Sequence, residues 1–154
     1  MKAKATKVSK ETALSKVMKY CAYQERCHKE VREKLLSLGV YGNELEEVMV
    51  ELIKQNFLNE ERFAQVFAGG KFRIRKWGRL KIKRALEIRE VSDYCIRKGM
   101  KEIKKVDYEK TLKKLLKDKL ASLKVDDTYV KRSRAAKFMI NKGYEPEMVW
   151  RALQ

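Results

Sequence analysis

A run of cationic side chains in the middle of the chain is the feature best suited to chemistry, and that chemistry is the binding of polyanions. Between Lys71 and Arg89 the chain carries nine Lys or Arg side chains and a single acidic one, Glu87. A solvated helix face, whose long cationic stems cover apolar surface, is the simpler alternative, but such faces usually alternate the sign of their charges. The run therefore favours contact with phosphates or with the acidic surface of a protein. The candidate binding residues are Lys71, Arg73, Arg75, Lys76, Trp77, Arg79, Lys81, Lys83 and Arg84.

Two aromatic residues, Phe72 and Trp77, lie inside this basic run. Aromatic rings can stack on the bases of single-stranded nucleic acid. An aromatic residue at a helix junction can equally pack into the core, where its large apolar area is buried. Both alternatives stay open at the level of the sequence, and Trp77 is kept among the candidates.

The sequence offers little for catalysis or metal binding. It has one histidine and three cysteines without CxxC spacing, which predicts buried, reduced thiols rather than a zinc site. No glycine-rich phosphate loop, HExxH motif or serine elbow occurs. The acid pairs at 60–61 and 126–127 fall at predicted helix starts, where capping and the helix dipole explain them. We therefore expect a protein that is not an enzyme and uses no cofactor.

Composition restricts both the fold and the partners. A chain of 154 residues forms one domain or a short array of small units, and one proline with seven glycines favours long helices. The net charge of +17 implies a polyanionic partner. No apolar run approaches the roughly 18 residues of a membrane span, and residues 1–10 lack the apolar core of a secretory signal. We expect a cytoplasmic monomer in which residues 1–10 form a flexible basic arm.

Helical periodicity is clearest in residues 44–56. Asn43 is the predicted N-cap, and the glutamates that follow it suit the positive end of the helix dipole. The preceding helix is predicted to end at Gly39, in the position after the C-cap. One face of the helix collects Leu45, Val48, Met49, Leu52 and Ile53 at the spacing i, i+3, i+4, i+7, i+8.

The apolar pattern then repeats along the chain. A shift of 51 positions pairs Leu35 with Leu86, and a shorter third copy ends in Gly143 and a helix started by Glu145-Pro146. We predict an all-α fold of three tandem three-helix repeats, at 11–57, 58–106 and 107–154, forming an elongated, curved molecule. The pair at 69–70 is expected to bend the second unit between its first two helices. Tyr41 and Tyr144 are expected to pack between units.

A basic β-hairpin is the competing interpretation of residues 72–82. Phe72 and Ile74, then Leu80 and Ile82, alternate at period two around a KWG sequence. The repeat places Ile82 on the second helix of a unit, which favours the helix.

Residues 56–86 resemble the central signature of the RecX family of bacterial regulators. A "YLDD-x-RFA" type segment is matched by Phe57, Leu58, Asn59, Glu60, Arg62, Phe63 and Ala64. A following "G-x-x-[KR]-I-x-x-x-L" segment is matched by Gly78, Lys81, Ile82 and Leu86. The segment KFRIRKWG at residues 71–78 is similar to the Bacteroidetes-type branch. Gly69-Gly70, and Glu90 in place of a helix-closing glycine, depart from the family pattern.

The resemblance implies an all-α repeat fold and a partner. RecX proteins are expected to bind in the groove of the filament that the RecA recombinase forms on DNA, and to lower its ATPase and strand-exchange activities. The family offers no catalytic residues to transfer. Two alternatives remain: a free-standing binder of single- and double-stranded DNA without sequence preference, and an adaptor for another acidic protein.

Overall fold

The computed structural model describes residues 8–154 and places most of them in α-helices. No strand occurs within this range, so the β-hairpin interpretation of residues 72–82 is wrong. Most of the predicted flexible arm, residues 1–7, lies outside the described range, whereas Lys10 already begins the first helix behind an N-cap at Ser9. The helices are α1 (Lys10–Tyr23), α2 (His28–Ser37), α3 (Gly42–Lys54), α4 (Glu60–Arg75), α5 (Arg79–Ile88), α6 (Asp93–Met100), α7 (Lys105–Ser122), α8 (Thr128–Asn141) and α9 (Pro146–Ala152).

The helices form three successive three-helix units, which confirms the predicted repeat fold. The first unit (α1–α3) has its own apolar core around Leu35 and Leu52. The second unit (α4–α6) and the third (α7–α9) share one core, which includes Leu86, Tyr108 and Met139. The second and third units are therefore joined by apolar packing, while the first unit has a core of its own and contributes Cys27 to the shared one.

The second helix of every unit ends in the same way. The residue after the C-cap has a left-handed backbone, with φ of 79° at Gly39, 59° at Glu90 and 100° at Gly143. Glu90 thus adopts in the second unit the left-handed conformation that glycine adopts in the other two. This conformation is sterically unfavourable for a residue with a β-carbon. The following amide then bonds the carbonyl five residues earlier: Val40 to Leu35, Val91 to Leu86 and Tyr144 to Met139.

Two local predictions are wrong. Helix α3 begins at Gly42 with Tyr41 as its N-cap, ahead of the predicted cap at Asn43. Residues 69–70 lie inside α4 and form no bend. The helix continues through them because its buried face runs without interruption on both sides of the pair, as Phe63, Ala64, Ala68 and Phe72. Of the two tyrosines, Tyr144 is fully buried as expected, whereas Tyr41 is 68% exposed.

The cysteines are free thiols in different environments. Cys21 and Cys27 are buried and Cys95 is half-buried. Burial raises the pKa of the Cys21 and Cys27 thiols from 9.0 to about 11, which lowers their thiolate fraction at pH 8 roughly a hundredfold. Iodoacetamide added to the native protein at pH 8 should therefore alkylate Cys95 first, as followed by peptide mass spectrometry. Urea-unfolded protein should lose this order, and equal labelling of the three thiols in the folded protein would contradict the prediction.

Candidate nucleic-acid interface

The basic run folds into the end of one helix, a short link and the start of the next helix. Helix α4 begins behind the side-chain cap of Asn59 and carries Arg73 and Arg75 in its last turn, where the helix dipole favours cations. Lys76 ends α4 in the left-handed region, with φ 58°. The chain then reverses through residues 76–78, which we call the basic link, and α5 begins behind Gly78.

The third unit holds the basic link by its backbone. Two of these hydrogen bonds join main-chain groups of both units and the third is donated by the Tyr144 side chain, and together they fix the path of the link before any partner binds. They run from the Gly78 amide to the Lys142 carbonyl (2.7 Å), from the Leu80 amide to the Gly143 carbonyl (2.9 Å) and from the Tyr144 hydroxyl to the Lys76 carbonyl (3.0 Å).

Two stacked tyrosines lie beneath the link. The Tyr108 and Tyr144 rings stand 5.0 Å apart. The Tyr108 hydroxyl accepts the Arg79 amide at 3.0 Å and donates to a carboxylate oxygen of Glu145. Burial raises the pKa of both tyrosines above the ordinary value of 10.0, so the hydroxyls stay protonated and keep donating even in alkaline solution.

These contacts also occupy the N-terminus of α5. A helix N-terminus normally offers free amides to an anion. Here the Arg79 and Leu80 amides already bond the Tyr108 hydroxyl and the Gly143 carbonyl. Because two amides of this helix end are already bonded within the protein, side chains are the main groups that this surface offers to a phosphate.

Five exposed candidate cations on the link and the flanking helices make no described contact with an aromatic ring, unlike Lys81, which is also exposed. Within residues 8–154, no described ion pair joins any of them to an acid. The Arg73 guanidinium lies back over Gly69, within 2.8 Å of where a β-carbon would stand. Their positive charge is available to a partner. They are Arg73, Arg75, Lys76, Lys83 and Arg84.

The remaining candidates are engaged within the protein. Arg79 is half-buried, pairs with Glu145 at 3.4 Å and lies 3.9 Å above the centre of the Tyr108 ring. The Lys71 and Lys81 ammonium groups lie 5.0 and 4.6 Å from the centre of the Trp77 ring. Trp77 itself is half-buried and packs against the shared core. These contacts favour core packing over base stacking for Trp77 and a structural role for Arg79.

Sequence inspection missed one cation of this surface. The Lys142 ammonium group approaches the Arg75 carbonyl at 3.4 Å, from 67 positions along the chain. No local pattern around Lys142 marks it as part of the basic run. The signal was available only through the repeat, because the turn of the third unit at 142–143 corresponds to that of the first unit at 38–39.

Within residues 8–154, no group of three or more His, Cys, Asp or Glu side chains is arranged to hold a metal ion. In the same range, no helix has the length and apolar character needed to cross a membrane.

Comparison with known proteins decides the family. The family model described as RecX, second three-helix domain, matches residues 59–100, and the one described as RecX, first three-helix domain, matches residues 13–52. This chain belongs to the RecX family. A "Regulatory protein RecX" of Clostridium perfringens (strain 13 / Type A) is 31% identical over 122 residues, which are 78% of this chain and 57% of the relative. One from Streptococcus uberis is 26% identical over 137 residues, 84% of this chain and 50% of the relative.

Solved RecX structures share the fold. RecX from Lactobacillus salivarius has a TM-score of 0.86 at 19% identity, over 94% of this chain and 94% of that one. A second structure, of regulatory protein RecX, has a TM-score of 0.81 at 15% identity, over 90% of this chain and 68% of that one. The chain spans somewhat more than half the length of the C. perfringens relative, at 57%. All nine candidate residues fall within the segment that matches the second three-helix domain.

Proposed function

We propose that this RecX protein binds the RecA–DNA filament and lowers its ATPase and strand-exchange activities. One observation carries the proposal: the backbone of the basic link is fixed by the third unit, and the exposed cations on the link and on the flanking helices have no described acidic partner. A backbone that is fixed before binding loses no further conformational entropy when the side chains it carries meet a polyanion. Membership of a family of regulatory proteins supports a regulatory role.

In the proposed mechanism, the protein restrains the filament by binding to it, without catalysis and without a cofactor. Side chains such as Arg75 and Lys83 contact DNA phosphates or acidic side chains of the recombinase. A rigid three-unit molecule that touches successive recombinase subunits opposes the rearrangements that ATP turnover and strand exchange require. A cytoplasmic location, where the filament assembles, and a monomeric state belong to the same proposal.

A free-standing nucleic-acid-binding protein is the second candidate. This candidate is favoured by the net charge of +17 and by the exposed cations on the link and the flanking helices. Phosphate binding needs little more than positive charge at the surface. Salt dependence separates the two, because affinity for bare single strands falls with log salt at a slope of about −0.7 per neutralised phosphate. A filament regulator should bind the filament much more tightly than bare DNA at the same salt concentration.

The decisive measurement is the DNA-dependent ATPase rate of the cognate RecA, titrated with this protein at near-physiological salt. We expect inhibition at less than one molecule per recombinase subunit, because one bound molecule restrains several neighbours. An unchanged rate at equimolar protein, with bare DNA still bound, would favour the free-standing nucleic-acid binder.

A further inference from the structure

A cleft of about 910 Å³ separates the first and second units. One wall comes from α2 and the segment that precedes it, and contributes the carboxylate residues Glu25, Glu30 and Glu33. The other wall comes from α4 and the end of α5, and includes Lys71 and Arg75. The cleft is therefore continuous with the basic surface, to which these two cations also belong.

The floor of the cleft is apolar although it faces solvent. Val66 is 53% exposed and Ile74 is 79% exposed, and with Gly70 between them they form one line along α4 at the spacing i, i+4, i+8. Ile88 of α5, 64% exposed, extends the same surface. A row of exposed aliphatic side chains in a concave site is typical of a binding surface.

Gly70 has no internal reason to be glycine. It lies in the interior of α4, where glycine weakens a helix relative to alanine. A β-carbon at this position would meet no atom within 4 Å, so nothing in the described protein excludes a side chain. The other glycines have visible causes: positive φ at Gly39, Gly42 and Gly143, close backbone contact at Gly78 and Gly99, and the Arg73 guanidinium over Gly69.

Polar contacts between the first and second units hold the two walls of the cleft in one relative position. Arg62 bonds Glu25 at 2.6 Å, and the Lys29 ammonium group reaches the Ile88 carbonyl at 3.3 Å. His28 and Glu60 make a third link at 3.0 Å. A cleft that is formed before binding spends little free energy on ordering itself around an occupant.

We propose that this cleft binds a protein segment of the recombinase filament, with an aliphatic or aromatic side chain over Gly70 and a carboxylate next to Arg75. This assignment rests on the proposed function and adds that the cleft binds protein while the basic link binds phosphate. Protein is the better occupant because a phosphate backbone has no apolar group to cover the aliphatic floor, whereas a protein segment offers both an apolar side chain and a carboxylate for Lys71 or Arg75 at its edge. A buried apolar anchor of this kind supplies much of the affinity of a protein interface.

The test uses the full chain with Gly70→Gln, which fills the floor, and separately Ile74→Gln, which removes its most exposed aliphatic side chain. We expect each variant to bind RecA–DNA filaments at least about tenfold more weakly. Affinity for bare single-stranded DNA should stay within about twofold, because the link is untouched. Val106→Gln is the matched control, since Val106 is an aliphatic residue of α7, 63% exposed and outside the cleft.

The outcomes separate the two proposals. If wild-type protein does not bind the filament, the proposed function fails before the variants are compared. If it binds and both cleft variants bind equally well, the cleft assignment is wrong, whatever their thermal midpoints. Equal loss of filament and bare-DNA binding would make nucleic acid the occupant, and a wild-type dimer that Gly70→Gln dissociates would make it a second copy of this chain. Either result would overturn the assignment.

Discussion

Replacing Gly78 with alanine is expected to lower the free energy of unfolding by about 3 kcal/mol, the upper end of the usual range for overpacking. The new β-carbon would lie 2.2 Å from the Gly143 carbonyl carbon and 2.3 Å from the Tyr144 nitrogen. Both atoms belong to backbone and cannot rotate away, so the second and third units must separate at the basic link. Urea denaturation followed by circular dichroism measures the change.

Gly70→Ala is the matched control, because the same substitution is made where a β-carbon has open space. In the interior of α4 it should raise the free energy of unfolding by about 0.5–1 kcal/mol, the usual difference between glycine and alanine in a helix. The two substitutions should therefore have opposite signs. If Gly78→Ala unfolds at the same urea concentration as the wild type, the backbone contact between the units is looser than the structure describes.

The helices and their repetition could be predicted from sequence because their causes are local. Each helix has an apolar face with helical spacing, and caps such as Asn59 and Ser92 lie next to the helices they start. The shift of 51 positions aligned the residues on both sides of Glu90 with those of the first unit, although the expected glycine is missing there. Backbone conformation there follows the repeat and not the residue type, because the apolar contact after the turn, Val91, stays buried.

The organisation of the basic surface could not be predicted because it depends on contacts between distant residues. The glycine pair at 69–70 led to the prediction of a bend there, whereas the chain turns at 76–78. At this turn, carbonyls of the third unit accept hydrogen bonds from the Gly78 and Leu80 amides. The pairing of Arg79 with Glu145 could not be predicted either, because the two residues are 66 positions apart in the sequence. Counting cations therefore overestimated how many are free. The structure divides the candidates into exposed cations, which can bind a partner, and residues that hold the junction.

The largest functional effect is expected from reversing the charge of the exposed cations nearest the link. The triple variant Arg73→Glu, Arg75→Glu, Lys76→Glu lowers the net charge from +17 to +11. It should abolish inhibition of the RecA ATPase and reduce the salt slope of single-strand binding by about 2, roughly 0.7 for each lost phosphate contact. Helicity should be retained because all three side chains are exposed, although acids in the last turn of α4 oppose the helix dipole and cost about 0.3–1 kcal/mol each.

The control carries the same charge change on another surface, as Lys110→Glu, Lys114→Glu, Lys117→Glu on α7, where all three lysines are exposed. Both variants have a net charge of +11, so non-specific attraction to DNA or to the filament is reduced equally in the two. Loss of inhibition in the link variant alone would therefore show that position matters beyond total charge. Equal loss in both would mean that long-range attraction dominates, and full inhibition by a folded link variant would move the binding surface elsewhere on the molecule.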